Sequence, residues 1–170
     1  MARDEATAQP DIEQQLVTEL AALVLEQIAP EELGVLDDTA QEYFADPQAT
    51  MDPRRRDEPL GFGIDIALLG PYVLAIATPV ITYLGSLVAQ EVQEATKPLV
   101  ADLVRRLFRR PSSDAAPITA SASSGLVLTP EQGRWIRDTT HERALALGVP
   151  DAQAGVLADA VVGGLLVTRN

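Results

Sequence analysis

The chain has 170 residues, a formal net charge of −12, no cysteine and a single histidine, His141. This composition excludes disulfides within the chain, thiolate nucleophiles and metal sites built from cysteine or several histidines. The acidic balance argues against nucleic acid as a partner, because a phosphate backbone would meet net repulsion. Aromatic residues make up only 4% of the chain while Ala, Val and Leu are abundant, which favours an all-α fold over a β-sandwich. We expect no cofactor and no metal.

The N-terminal region, residues 1–47, is acidic and predicts two helices. Asp11 is a candidate cap for the first helix, whose apolar residues recur at helical spacing, and Pro30 ends it. Asp37 and Asp38 are candidate caps for a second, shorter helix.

A linker rich in proline and arginine occupies residues 48–65. Residues 66–110 follow it and start with an apolar segment, which continues into an arginine-rich amphipathic helix. Residues 66–90 contain no Asp, Glu, Lys, Arg or His. A run of this length can cross a bilayer, since a spanning helix needs roughly 20 mostly apolar residues. We expect the helix to begin near Pro71, where proline suits the first turn, and to be kinked at Pro79.

One face of this helix has small or hydroxyl-bearing side chains, and the opposite face is bulky and aliphatic. In lipid, small residues let helix backbones approach closely and hydroxyls bond across the contact, so this stripe predicts helix association, including self-association. The alternative is that small residues are simply common in this composition. Two threonines in the stripe are also placed to bond the carbonyl that Pro79 leaves free. The stripe consists of Ala75, Thr78, Thr82, Gly85, Ser86 and Ala89.

An amphipathic, arginine-rich helix follows in the one basic part of the chain. Residues 67–110 carry three acidic and five basic residues, a net charge of +2, whereas residues 1–66 carry 16 acidic and four basic residues, a net charge of −12. At a membrane interface each arginine would gain about 1 kcal/mol from anionic lipid. Alternatively, this is a solvated helix end that complements the helix dipole. In a related hypothesis the acidic N-terminal region folds over the basic cluster and restrains membrane binding. The cluster consists of Arg105, Arg106, Leu107, Phe108, Arg109 and Arg110.

Residues 111–125 form a disordered linker rich in Ser, Ala, Thr and Pro, and residues 126–170 predict a helical hairpin. The motif Thr129–Gln132 has the residues of a capping box, with proline at the first helical position. Gly148 closes the first helix, and Asp151 starts the second. The facing residues would be Trp135, Ile136, Leu145 and Leu147 on the first helix and Val156, Leu157, Ala160, Val161 and Leu165 on the second.

Four short motifs invite a chemical interpretation, namely Glu31-Glu32, Asp37-Asp38, Gly61-Phe62-Gly63 and His141. Adjacent acids diverge and lack the alternating spacing of a calcium loop, so we assign them to helix starts and solubility. The glycines are not followed by Gly-Lys-Ser/Thr, and they predict a turn. The histidine lacks the second histidine of a zinc-protease helix, so we expect it at the surface. No motif predicts an enzyme.

The order of an acidic helical region, an apolar segment, an arginine-rich helix and a Thr-Pro-Glu-Gln hairpin resembles that of small helical actinobacterial proteins without a known activity. The leading hypothesis is a membrane-associated anchor, adaptor or oligomerising effector at the cytoplasmic side of a bacterial inner membrane. Its expected partners are anionic lipid and a second copy or another protein. The alternative is a soluble cytoplasmic interaction or scaffold protein, in which the apolar helix is buried in a homo-oligomer or larger assembly.

Overall fold

The computed structural model describes residues 8–52, 69–91, 97–108 and 128–166. These residues form seven α-helices and one short 3₁₀ helix, Pro30–Val35, and none of them is in a strand. The all-α fold that the composition predicts is therefore confirmed. In chain order the helices are α1 (Ala8–Ile28), α2 (Leu36–Ala45), α3 (Pro47–Met51), α4 (Gly70–Glu91), α5 (Lys97–Phe108), α6 (Pro130–Ala146) and α7 (Asp151–Leu166).

The predicted ends of the N-terminal helices agree with the structure better than their predicted starts. α1 ends at Ile28, and Pro30 opens the 3₁₀ helix. α1 begins at Ala8, so Asp11 lies inside the helix and its predicted capping position is wrong. Asp37 and Asp38 likewise lie in the first turn of α2, whose start has no side-chain cap. Acidic residues stabilise a first turn through the helix dipole as well as at the cap, so their presence alone does not locate the cap.

α4 is the central helix of the bundle, and α1, α2, α3, α5 and α6 all pack against it. Its first turn contains Pro71, as predicted, because a proline there has no helical N–H to lose. Its bulky aliphatic face lies in one core with apolar residues of α1, and burial of this surface drives the packing. The largest fully buried side chains of α4 are those of Val73, Leu74, Ile76, Val80, Leu84 and Val88.

The helix continues through Pro79, and the kink predicted there stays a prediction. Proline lacks an N–H, so the carbonyl of Ala75 loses its usual helical donor. The Thr78 hydroxyl donates to the Leu74 carbonyl at 2.9 Å. The Thr82 hydroxyl lies 3.1 Å from the Thr78 carbonyl. Both contacts are bonds to the residue four positions earlier, so the predicted rescue of the freed carbonyl by these threonines is wrong.

The turns of the C-terminal hairpin form as predicted. The Thr129 hydroxyl accepts the Gln132 N–H at 3.2 Å, and the Gln132 side chain accepts the Thr129 N–H at 2.8 Å, which completes the capping box. Gly148 has a φ of +83° and ends α6 in the left-handed conformation that glycine adopts most readily. Asp151 then begins α7.

The predicted facing residues of the hairpin are only partly in the core. Ile136 of α6 is buried, as are Leu157, Ala160, Val161 and Leu165 of α7. The predictions for Trp135, Leu145 and Val156 are wrong, since these side chains are 42%, 42% and 55% exposed. α6 buries only a narrow stripe, and the Trp135 ring stacks on Tyr83 of α4 with centroids 3.9 Å apart. The remaining member, Leu147, is partly buried at the edge of the core.

Helices from the two ends of the chain share one core. α7 packs on α1, and α6 packs on α4. The close approach of α7 to α1 uses Gly163 and Gly164, where an added Cβ would lie 3.5 and 3.6 Å from the Gln27 amide. The predicted linkers, residues 48–65 and 111–125, lie mostly outside the described residues, and the division into segments stays a prediction. Part of the first of them is helical, as α3.

Candidate functional site

A buried carboxylate holds the N-terminus of α4. Glu32, in the 3₁₀ helix, is only 5% exposed. Its Oε1 accepts the Leu69 N–H at 2.8 Å and its Oε2 accepts the Gly70 N–H at 2.8 Å. The first N–H groups of a helix lack helical partners and carry partial positive charge, so a carboxylate satisfies them well. The helix-start role expected of Glu31 and Glu32 is confirmed, since both lie in the first turn of the 3₁₀ helix, but the solubility role is wrong for buried Glu32, whereas Glu31 is exposed.

The stripe on α4 divides between the protein interior and the surface. Ala75 is buried, Thr78 and Gly85 are partly buried, and the remaining members, Thr82, Ser86 and Ala89, are exposed. The contacts that these residues make lie within the chain. The Thr82 hydroxyl donates to the Glu13 carboxylate of α1 at 2.8 Å. An added Cβ on Gly85 would lie 4.0 Å from Val100 of α5. Association with a second chain through this stripe stays a prediction.

The basic cluster contacts α1 through its first residue. Arg105 Nε lies 3.0 Å from Glu19 Oε1, and Arg105 Nη2 donates to Gln15 Oε1 at 3.0 Å. Asp102 lies 3.8 Å from the same guanidinium. The side chain of Arg105 is 24% exposed. The side chains of Arg106, Leu107 and Phe108, together with Arg109 and Arg110, lie outside the described residues.

An open groove of about 920 Å³ lies between α1 and the segment formed by the 3₁₀ helix and α2. We call its apolar lining residues the floor and its polar lining residues on α1 and on α2 the two walls. Leu33 of the floor is 38% exposed, and Asp37 of the α2 wall is exposed as well. The floor consists of Ala22, Leu33, Leu36, Ala40, Phe44 and Ala45, and the walls of Gln14, Gln15, Thr18, Glu19, Asp37 and Gln41. Sequence reasoning missed this groove, because its two sides become neighbours only on folding.

Polar side-chain contacts join α6 to α7 in the hairpin. Arg137 Nε lies 2.8 Å from Asp159 Oδ1, and this hydrogen bond and the charge of Asp159 raise the pKa of Arg137 above its ordinary value. His141, partly exposed, lies 3.0 Å from Asp151 Oδ1 at the start of α7. The hydroxyl of buried Thr140 makes no hydrogen bond with any described atom. The two pairs join partly or fully exposed side chains of the two helices.

Within the described ranges, no group of three or more His, Asp or Glu side chains could hold a metal ion. One helix there, Gly70–Gln90, is long and apolar enough to cross a membrane, with a mean hydropathy of 1.8. Half of that span is buried in the protein, and core helices of soluble proteins have the same length and composition.

Searches for similar family models, curated proteins and solved structures found no match.

Proposed function

We propose that this chain is a non-enzymatic helical interaction protein, soluble in the cytoplasm, with α4 as the central helix of its bundle. The observation that carries this proposal is the orientation of α4. Its bulky aliphatic residues face the core, and its exposed residues include Thr82, Ser86 and Gln90. Water favours this arrangement, because aliphatic surface leaves the solvent while hydroxyl and amide groups stay hydrated. Lipid gives no such preference, since its chains are as apolar as leucine.

The contact between α4 and α1 adds a second argument. Thr82 lies near the middle of the apolar span, and its hydroxyl donates to the Glu13 carboxylate. A charged side chain at the centre of a bilayer costs about 3 kcal/mol on insertion scales. The intact bundle would take this carboxylate into the hydrocarbon, so α4 would have to separate from α1 before it could span a membrane.

Interaction with another chain is the role that the surface supports. Leu33, Val35 and Trp135 are 38%, 46% and 42% exposed, and the groove beside Leu33 has an apolar floor. Partner binding would remove such surface from water. The partner is a second copy of the chain or another protein.

The test of this proposal is partition of the full chain without detergent. We expect the protein in the supernatant after ultracentrifugation of lysed cells, as a monodisperse species in gel filtration. We also expect no flotation with vesicles of phosphatidylglycerol and phosphatidylethanolamine. Recovery only in the membrane fraction, with release by detergent, would contradict the proposal.

A second candidate is a membrane-associated anchor or effector at the cytoplasmic face of a bacterial inner membrane. It is favoured by the length and hydropathy of Gly70–Gln90, whose exposed face carries no charge, and by Arg105 on the adjoining helix. In this candidate α4 leaves the bundle and the basic cluster meets anionic lipid. The same flotation assay separates the two functions, because only this one predicts recovery with anionic vesicles and little recovery with neutral ones.

A further inference from the structure

We infer that the groove between α1 and α2 binds an amphipathic helix of a partner protein, with arginine or lysine flanking the apolar stripe of that helix. This inference rests on the proposed interaction function and names the class of partner. The lining residues extend from Gln14 to Ala22 on α1 and from Leu36 to Ala45 on α2. At 1.5 Å per residue each side is about 13 Å long, which matches between two and three turns of a docked helix.

The floor of the groove suits the apolar stripe of such a helix. Leu36 and Ala40 form its buried part, whereas Leu33 and Phe44 retain access to solvent. The groove is open to solvent, whereas ligand pockets enclose most of the surface of a small molecule. A helix laid along the groove would cover Leu33 and Phe44 together.

The α1 wall already binds an arginine of the chain itself. Glu19 and Gln15 both line the groove, and their side-chain oxygens receive the guanidinium of Arg105 at 3.0 Å. Arg105 fills this site, so the contact shows that the wall accepts a guanidinium, while pairing with a cation of the partner falls to the opposite wall.

The opposite wall carries the carboxylate of Asp37. Asp37 is exposed, lines the groove and makes no ion pair with any described residue. The whole chain has a net charge of −12, which attracts cationic partners over long range and repels nucleic acid. Basic residues beside the stripe of a docked helix would complement this wall.

The test uses the full chain and a fluorescent 18-residue helical peptide, with leucine at positions i, i+4, i+7 and i+11 and arginine on both flanks. A second peptide keeps every leucine and replaces each arginine with glutamate. We expect the arginine peptide to bind in an anisotropy titration and the glutamate peptide to bind at least about tenfold more weakly.

Two adjacent aspartates provide a matched pair of variants. Asp37→Arg and Asp38→Arg change the net charge equally, and both residues lie exposed in the first turn of α2, but only Asp37 lines the groove. We expect about tenfold weaker binding of the arginine peptide for Asp37→Arg and less than about threefold for Asp38→Arg.

A second pair of variants tests the floor of the groove. Leu33→Ala should weaken binding several-fold more than Val35→Ala, which removes a similarly exposed side chain outside the groove.

Equal weakening by the two aspartate variants would overturn the inference, because it would indicate attraction by net charge alone. Absence of binding to a folded full chain, or equal binding of both peptides, would overturn it as well. Circular dichroism of each variant verifies folding. The proposed function is tested separately, by partition and gel filtration of the same preparation. A soluble chain that does not bind the arginine peptide therefore contradicts only the groove inference.

Discussion

Glu32 shows how one side chain can join distant parts of this chain. Its two carboxylate oxygens accept N–H groups at the start of α4, 37 and 38 residues further along the sequence. These charge-assisted hydrogen bonds offset the cost of burying the carboxylate. Gly70 is itself buried, and an added Cβ there would reach van der Waals contact with Thr39 at 3.4 Å and with Glu32 at 3.5 Å.

We predict that Glu32→Ala lowers the free energy of unfolding by about 2 kcal/mol, because it leaves two helix N–H groups without their acceptor. Glu31→Ala removes an exposed neighbour of the same type and should change stability by less than about 0.5 kcal/mol. Urea denaturation followed by circular dichroism measures both values. Equal losses for the two variants would show that the cap contributes nothing.

Among the helices, α4 and α5 meet where α4 has no side chain. Gly85 is a member of the predicted association stripe, and its neighbour in the structure is Val100 of the same chain. A small residue permits this approach, as it would between two chains in a membrane. The space is limited, since an added Cβ already reaches ordinary van der Waals contact at 4.0 Å.

We predict opposite effects for two substitutions at this position. Gly85→Ala should stabilise the protein by up to about 1 kcal/mol, because alanine favours helix and its Cβ fits. Gly85→Leu should destabilise it by about 1–3 kcal/mol, because the larger side chain forces α5 away. Thermal unfolding measures both, with Gly133→Leu as the control: Gly133 in α6 has nothing within 4 Å of an added Cβ, so leucine there should be tolerated. Tolerance of Gly85→Leu to the same degree would contradict this account of the contact.

At the scale of the whole molecule, an acidic N-terminal region lies against the start of a basic cluster. The Arg105 contact with Glu19 fits the hypothesis that this region restrains membrane binding. Deletion of residues 1–50 would be a poor test, because α1 supplies Leu20, Val24 and Leu25 to the core and its loss would expose α4. A single substitution at Glu19 frees the arginine from its carboxylate partner on α1, retains the Gln15 contact and leaves the core intact.

We predict that the two candidate functions differ in their response to Glu19→Ala. If the basic cluster binds membranes, freeing Arg105 should raise binding to anionic vesicles about fivefold, since one arginine near such a surface is worth about 1 kcal/mol. Glu26→Ala, an equal charge change at an exposed position of α1, should have a smaller effect. For the soluble interaction protein, flotation assays should recover neither variant with the vesicles. An equal increase for both variants would contradict the restraint by Glu19.

Local patterns in the sequence determined the helical fold and the turns of the C-terminal hairpin. The residues of the capping box are three apart, and Gly148 ends α6 through its own backbone conformation, so both could be predicted from adjacent residues. The apolar length of residues 66–90 likewise predicted the long helix α4.

Only the tertiary structure decided which faces of these helices are covered. Arg105 contacts Glu19 at a separation of 86 residues, Glu32 caps a helix in another part of the chain, and the Trp135 ring stacks on Tyr83 of α4. Periodicity places side chains on a face but does not identify the element that covers it, because burial depends on contacts between residues far apart in sequence. For the same reason, the sequence shows only that the apolar helix could span a membrane, whereas the packing places its aliphatic residues in the core.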